Sequence, residues 1–332
     1  MPKLNYTAKG FSPDLGGCLN GCHSIDVTWA ELIWAGITVG RKSWEDVIRH
    51  GYHSFLEIIY RTAILKANLS SSPQGEFTKT DAYKSLDPSE KSAISYFLGL
   101  SFAKLVAHRL LSVPWLVHLD CFEDLPIEID MRGNNRPDLI GTNLSGKWCV
   151  FEAKGRTHNI AKKLIQKAKN QAQMIKSING TVPRIRGISL SHFSSDKLRL
   201  YLEGSGEIDS ADVDFENSSG KDQFLESYYQ PFVSLTENRT ATTRKTGVVR
   251  VRGREINWVN LEEVDLDVGL DSRIQEVLTS EYRAENALMS IAYLYSQNTN
   301  EFAVRVQDHS GNNDTTFIGW DGVFVRPGPS WI

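Results

Sequence analysis

Apolar residues recur at helical spacing through much of the first third of the chain. The segments 28–31 and 43–46 each place a hydroxyl residue before an acidic first turn, which is typical of a helix start, and residues 54–69 continue in the same style. A polar loop at 70–81 follows. We therefore expect a helical N-terminal region over residues 1–80.

The next segments predict a compact set of helices and strands. Asp87-Pro88 marks the start of a helix that runs to about Leu111 and is apolar nearly all round, as in a helix buried on more than one side. Strand-like segments follow at 114–122 and 126–130, then a helix at about 159–178 with an apolar stripe, and two strands at 184–191 and 197–202.

This order of elements predicts an α/β fold with a mixed central β-sheet flanked by helices, with its core at residues 81–205. Residues 206–332 are expected to form a C-terminal α/β extension, either separate or packed as one domain with the core. In that extension the pattern predicts an acidic loop, a strand pair at about 248–259, a helix at about 272–296 and two closing strands at 301–307 and 315–325.

The stretch 136–156, RPDLIGTNLSGKWCVFEAKGR, places charges inside apolar segments. Its centre fits a hairpin with a three-residue loop in which Gly146 takes the left-handed conformation. If Asn143 pairs with Lys147, Asp138 lies directly opposite Glu152, and Lys154 shares their face. A loop one residue longer or shorter would put the two carboxylates on opposite faces.

Two carboxylates held this close repel each other unless a cation lies between them. Mg²⁺ is the natural candidate, with Mn²⁺ as a substitute, because it prefers hard oxygen ligands and often uses one or two carboxylates with a phosphate oxygen. A neighbouring lysine suits an anionic substrate. The expected reaction is therefore attack of water on a phosphodiester.

The distribution of charge is uneven, although the net charge is only −3. Residues 153–195 and 239–254 are rich in Lys and Arg and contain no Asp or Glu. Such stretches can neutralise phosphates, whereas the simpler interpretation is a solvated surface or a charged edge strand. The predicted nucleic-acid contacts are Arg156, Lys162, Lys163, Lys167, Lys169, Arg250 and Arg252. We expect Arg250, Arg252 and Arg254 to share one strand face.

Composition narrows the class of protein. The 332 residues are 41% hydrophobic and 23% charged, as in ordinary globular proteins. No secretory signal is visible and no apolar run approaches the roughly 18 residues of a membrane helix, so we expect a cytoplasmic protein with no membrane association. The motifs of P-loop NTPases, zinc proteases and serine hydrolases are absent from the sequence.

Pro137-Asp138 followed by Glu152-Ala153-Lys154 across a hairpin resembles the signature of PD-(D/E)XK nucleases, and the resemblance covers about residues 85–205. It implies a restriction-endonuclease-like core and an Mg²⁺-dependent phosphodiesterase. Asp138 and Glu152 would be metal ligands, the backbone carbonyl of Ala153 a further ligand, and Lys154 the residue that positions the nucleophile.

Two departures from that family pattern concern the rest of the site. Many relatives carry an acidic residue on the helix before the sheet, where this chain offers only Glu90, which a capping role explains. The substitutes are Glu57, Glu128 and Asp130. Relatives of the exonuclease branch often carry Gln-x-x-x-Tyr in the later helix, where Gln166 is here followed by Asn170. Gln171 is a candidate site contact, with a structural role as the alternative.

These features predict a DNA endonuclease that acts in restriction or other defence against foreign DNA. A repair or recombination nuclease is the alternative within that class, and a non-catalytic nucleic-acid-binding or scaffold module is the alternative outside it. The expected partners are DNA, with RNA as the alternative, a second copy in a homodimer, and partner proteins of a defence system.

Overall fold

The computed structural model describes residues 1–12, 19–39, 52–121, 127–129, 136–205, 219–237, 244–251, 253–280, 287–288, 290–291, 304–305 and 315–331. The helices of this part of the chain are α1 (Trp29–Thr38), α2 (Tyr52–Asn68), α3 (Asp81–Ser85), α4 (Pro88–Leu111), α5 (Lys162–Ala172), α6 (Ser219–Glu237) and α7 (Ser272–Thr279).

The strands form three sheets. The nine-stranded central sheet contains β1 (Lys3–Lys9), β2 (Gly21–Asp26), β3 (Leu69–Ser71), β4 (Phe77–Lys79), β5 (Trp115–His118), β7 (Leu139–Thr142), β8 (Trp148–Arg156), β10 (Ile185–Ser194) and β11 (Lys197–Ser205), whereas β6 (Ile127–Ile129) pairs with β9 (Ile175–Ile178). The six-stranded sheet contains β12 (Thr246–Val251), β13 (Arg254–Leu261), β14 (Leu266–Asp271), β15 (Val304–Arg305), β16 (Thr315–Ile318) and β17 (Val323–Pro327).

The central sheet is mixed, which confirms the predicted α/β class. Its main order is β2-β1-β11-β10-β8-β7-β5. The β8–β10 and β1–β11 pairs are parallel, and the other neighbours in this order are antiparallel. A parallel pair needs a crossover between its strands, and α5 supplies it between β8 and β10.

Helix α4 begins where the sequence predicts. The Asp87 side chain accepts from the backbone N–H groups of Ser89 and Glu90. The Glu90 carboxylate in turn accepts from the Asp87 N–H, so the capping box is complete. From Ser95 onward most of the helix is buried. It is long and apolar enough to cross a membrane, but 72% of its most apolar 18-residue segment is buried inside the protein.

Helices α4 and α5 cover opposite faces of the central sheet. A Cβ on Gly155 would come within 1.5 Å of the Ser95 carbonyl oxygen, so α4 lies directly on this face of β8. Lys154 precedes Gly155 in β8, so its side chain points to the other face of the sheet. Leu190 of β10 is paired with Lys154 and points to that same face. There it packs with Ile188 against Ala168 and Ala172 of α5.

The sequence predicts a helical N-terminal region, but this region also contains strands. Strand β1 lies between β2 and β11, one strand from the edge of the central sheet. Its Leu4, Tyr6 and Ala8 are buried on one face, and Asn5 and Thr7 point to the other. The helix starting at Thr28 and the helix over 54–69 are confirmed as α1 and α2. The predicted helix start at 43–46 lies outside the described residues.

The helix predicted at 159–178 is shorter than expected. It spans Lys162–Ala172, and Ile175 belongs to strand β9 instead. Asn179 and Gly180, both with positive φ, form the turn after β9. Ile175 is nevertheless buried. The apolar pattern therefore predicted burial correctly, but it continues from the helix into strand β9.

Three differences concern the C-terminal extension. Helix α6 was not predicted, and the single strand expected at 315–325 is the hairpin β16–β17. The predicted arginine face is wrong, because the chain turns at Gly253 and Arg254 lies buried on β13, opposite Val251 of β12. The helix predicted at 272–296 is described as α7 over its first part, and the strand predicted at 301–307 as β15.

Candidate active site

The predicted hairpin register is confirmed. Strands β7 and β8 pair Leu139 with Phe151, and Gly146 has a φ of 72° in the connecting loop. The Asn143 N–H donates to the Lys147 carbonyl oxygen at 3.0 Å. Asp138 directly precedes Leu139, so the same register places it opposite Glu152.

Asp138, Glu152 and Lys154 converge at the end of this hairpin. Lys154 Nζ lies 3.1 Å from Asp138 Oδ2 and forms a second ion pair with Glu152 Oε1. The Asp138 N–H donates to Glu152 Oε2 at 3.1 Å. Glu152 is fully buried, whereas the Asp138 and Lys154 side chains remain 17% and 19% exposed. The site therefore opens to solvent on the side of Asp138 and Lys154.

Burial and mutual repulsion make the second carboxylate hard to ionise. Burial raises the pKa of Glu152 to about 8, with a further increase from the charge of Asp138 and a partial reduction from Lys154. Burial alone would lower the pKa of Lys154, but the two carboxylates outweigh it and raise that pKa. When both carboxylates are ionised, two anions share one cation, and a further cation beside them would stabilise that ionised state.

The peptide of Ala153 also faces the two carboxylates. Its N–H donates to Asp138 Oδ2 at 3.1 Å, on the side of β8 away from β10. Within a strand, the N–H and C=O of one residue point to the same neighbouring strand. The Ala153 carbonyl therefore points to the edge where Asp138 lies.

The donor set suits a hard divalent cation. It offers two carboxylates and a peptide oxygen, which are ligands that Mg²⁺ accepts together with water and phosphate oxygens. Among the described residues, no group of three or more His, Cys, Asp and Glu side chains is placed to hold a metal ion.

Aromatic and basic groups that the sequence analysis did not single out are linked to the segment around Asp138 by hydrogen bonds and an ion pair. The Asp138 carbonyl oxygen accepts from the Leu119 N–H at 2.8 Å, and the preceding residue, His118, bonds to the Tyr96 hydroxyl at 3.1 Å. Arg136 forms an ion pair with Asp120. The proximity of Tyr96 to the site has no local sequence signal, because α4 and the hairpin meet only through tertiary packing.

The other predicted carboxylates within the described residues have partners of their own. Glu128 accepts a hydrogen bond from Ser177 at 3.0 Å, and Glu57 pairs with Arg61 at 2.7 Å. Asp130 lies outside the described residues. Gln171 is buried and donates from Nε2 to the Arg136 carbonyl oxygen at 3.3 Å, so it holds the backbone two residues before Asp138.

The predicted nucleic-acid contacts fall into three groups. Arg156, Lys162, Lys163 and Lys167 are exposed at or after the end of β8. Lys169 is half-buried and pairs with Glu203, so its charge is already balanced. Arg250 is 81% exposed on the second sheet and pairs with Glu255, and Arg252 lies outside the described residues.

No family model, curated protein or solved structure matches the chain.

Proposed function

We propose that this chain is an Mg²⁺-dependent nuclease of the PD-(D/E)XK type with a restriction-endonuclease-like core, and that it hydrolyses DNA phosphodiester bonds. The observation that carries the proposal is the convergence of Asp138, Glu152 and Lys154 in the register that the motif requires. The order α4, β5, the β7–β8 hairpin, α5 and β10 supports it, because it matches the core order of that family.

Each side chain has a role that its surroundings favour. Asp138 and Glu152 hold the divalent ion, which when bound supplies positive charge beside the phosphate. Without a metal ion the carboxylates raise the pKa of Lys154, which favours its protonated form. Its ammonium stabilises the negative charge that grows on the phosphate as water attacks. The Ala153 N–H fixes the Asp138 carboxylate.

The expected partner is the phosphate backbone, which meets the site from the side of the exposed basic residues after β8. Lys162 and Lys163 begin α5 and carry no acidic neighbour in the first turn of that helix. They would bind phosphates without regard to sequence. The defence role, the homodimer and the cytoplasmic location stay predictions from the sequence.

The proposal is tested by incubating the purified protein with plasmid DNA and Mg²⁺ or Mn²⁺. We expect cleavage by the wild type and a loss of at least about a hundredfold in Lys154→Ala, because one charge-stabilising donor is worth that much in comparable sites. Lys91→Ala, a lysine of α4 outside the site, is the matched control and should cleave like the wild type.

A folded wild-type protein that cuts no linear, circular or branched DNA and no RNA with either ion would refute the nuclease proposal. It would favour the non-catalytic binding module instead. Equal activity of the wild type and Lys154→Ala would also refute it, since cleavage would then come from another site or a contaminant.

A further inference from the structure

Exposed aromatic rings lie beside the carboxylate–lysine site, where they contribute little to the protein core. Among the described residues, six large apolar side chains are exposed, and three of them, Leu56, Tyr60 and Tyr96, belong to the adjacent helices α2 and α4. The Tyr60 and Tyr96 rings are 49% and 38% exposed. This clustering indicates a surface with a function rather than scattered exposure.

The two tyrosines share a half-buried neighbour. The Phe97 ring lies 5.7 Å from that of Tyr60 and 5.6 Å from that of Tyr96, in edge-to-face geometry with both. Arg61 lies over Phe97, with Cζ 5.5 Å from the ring centroid, and is held by Glu57. We call Tyr60, Tyr96 and Phe97 the aromatic platform. The contacts with Phe97 and Arg61 hold the Tyr60 and Tyr96 rings in place, so the aromatic platform is a preorganised surface.

A short series of contacts joins the aromatic platform to the proposed catalytic residues. Tyr96 bonds through its hydroxyl to His118, and the next residue, Leu119, donates its N–H to the Asp138 carbonyl. Burial raises the pKa of Tyr96 to about 12, with contributions from the charges of Asp138 and Glu152, as expected for a ring close to both.

We propose that the aromatic platform stacks on the bases of an unpaired nucleic acid strand whose phosphate lies at the carboxylate–lysine site. The inference rests on the proposed nuclease function and specifies its substrate as single-stranded or frayed rather than intact duplex. Inside a duplex the faces of each base are covered by its neighbours, so exposed rings can stack only on unpaired or terminal bases.

The test separates stacking from charge. Fluorescence anisotropy compares binding of an oligothymidylate, an abasic oligomer of the same length and a duplex, all in EDTA so that no cleavage occurs. We expect the wild type to bind the oligothymidylate more tightly than either competitor. Each of Tyr60→Ala and Tyr96→Ala should weaken that binding about tenfold and leave the abasic oligomer unaffected.

Conservative variants control for folding. Tyr60→Phe and Tyr96→Phe keep the ring and should bind the oligothymidylate within about twofold of the wild type. Val248→Ala, a 60% exposed apolar residue on the second sheet, is the matched surface control and should change nothing.

The proposal is overturned if the wild type binds the oligothymidylate and the abasic oligomer equally, or if the alanine variants keep the wild-type preference. It is also overturned if those variants abolish self-association without changing oligonucleotide affinity, because the aromatic platform would then be a protein interface. A protein that shows the base-dependent binding but cuts nothing contradicts the nuclease proposal alone, so the two failures are distinguishable.

Discussion

At the scale of single residues, Glu152 is the group of the proposed site that is least favourable to ionise. The carboxylate is fully buried beside Asp138, with Lys154 as its one cationic neighbour in the described contacts. Sequence reasoning placed these three groups together, because a hairpin register is a local property fixed by turn geometry. It did not foresee how completely Glu152 is buried, since burial depends on the packing of α4 and α5 around β8.

The raised pKa of Glu152 predicts a specific dependence of stability on pH. From its usual value of 4.5 up to about 8, the folded protein holds a proton that the unfolded chain has lost. The free energy of unfolding should therefore fall as pH rises through this window, by up to about 1.4 kcal/mol per pH unit, in the absence of metal. Glu152→Gln should remove the slope. Urea unfolding in EDTA at several pH values measures it.

Asp138→Asn is the companion variant, because it removes the neighbouring charge that helps to raise the Glu152 pKa. We expect the slope to persist from the same lower limit and to end at a lower pH than in the wild type. Identical pH profiles in the wild type and Glu152→Gln would show that Glu152 is not the group responsible.

At the scale of elements, local signals in the sequence predicted what local interactions determine. The capping box of α4 and the Gly146 turn both involve neighbours within a few residues, and both are confirmed. The N-terminal strand β1 alternates buried Leu4, Tyr6 and Ala8 with polar residues, so its period-two pattern was present but short.

Helix α6 was missed although its sequence carries a helical stripe. Its buried residues Phe224, Leu225, Tyr228, Tyr229 and Phe232 recur at helical spacing. Pro231 lies inside the helix, and the acidic, turn-rich stretch before it favoured a loop. The pairing of β1 with β11 could not be predicted either, since these strands are almost two hundred residues apart and only tertiary packing selects their contact.

The contact between α4 and β8 predicts a sharp effect of one methyl group. In Gly155→Ala the new Cβ would meet the Ser95 backbone oxygen at 1.5 Å, and a backbone cannot rotate away as a side chain can. We expect a loss of about 3 kcal/mol in the free energy of unfolding, at the upper end of typical overpacking. The proposed nuclease activity should fall as well, because Lys154 is the adjacent residue.

Gly180→Ala provides the comparison for Gly155→Ala. Gly180 has a φ of 74°, and no atom lies within 4 Å of the position that an alanine Cβ would take. Alanine there should therefore lower the free energy of unfolding by backbone strain alone, about 1 kcal/mol. Urea denaturation of both variants measures the difference. Equal losses would show that α4 does not press on β8 as described.

At the scale of the whole molecule, a buried polar network joins the elements on which the two large sheets pack. Lys104 of α4 donates to the Tyr228 hydroxyl of α6 at 3.1 Å, and that hydroxyl bonds to Asp321 in the turn before β17. Trp34 of α1 donates to the same carboxylate at 3.1 Å. One hydrophobic cluster runs through residues of both sheets. The network therefore couples the C-terminal extension to the core that holds the site.

Removing the carboxylate at the centre of this network should destabilise the molecule as a unit. Asp321→Ala leaves the Trp34 N–H, the Tyr228 hydroxyl and buried Lys104 without their acceptor or counter-charge, so we expect a loss of about 3 kcal/mol. Because the network spans both sheets, the urea unfolding curves followed by tryptophan fluorescence and by circular dichroism should shift together and show one transition.

Asp81→Ala, at a carboxylate that is 99% exposed, is the control and should change the free energy of unfolding by less than about 1 kcal/mol. Two separate transitions, or equal losses in the two variants, would show that the extension unfolds independently of the core.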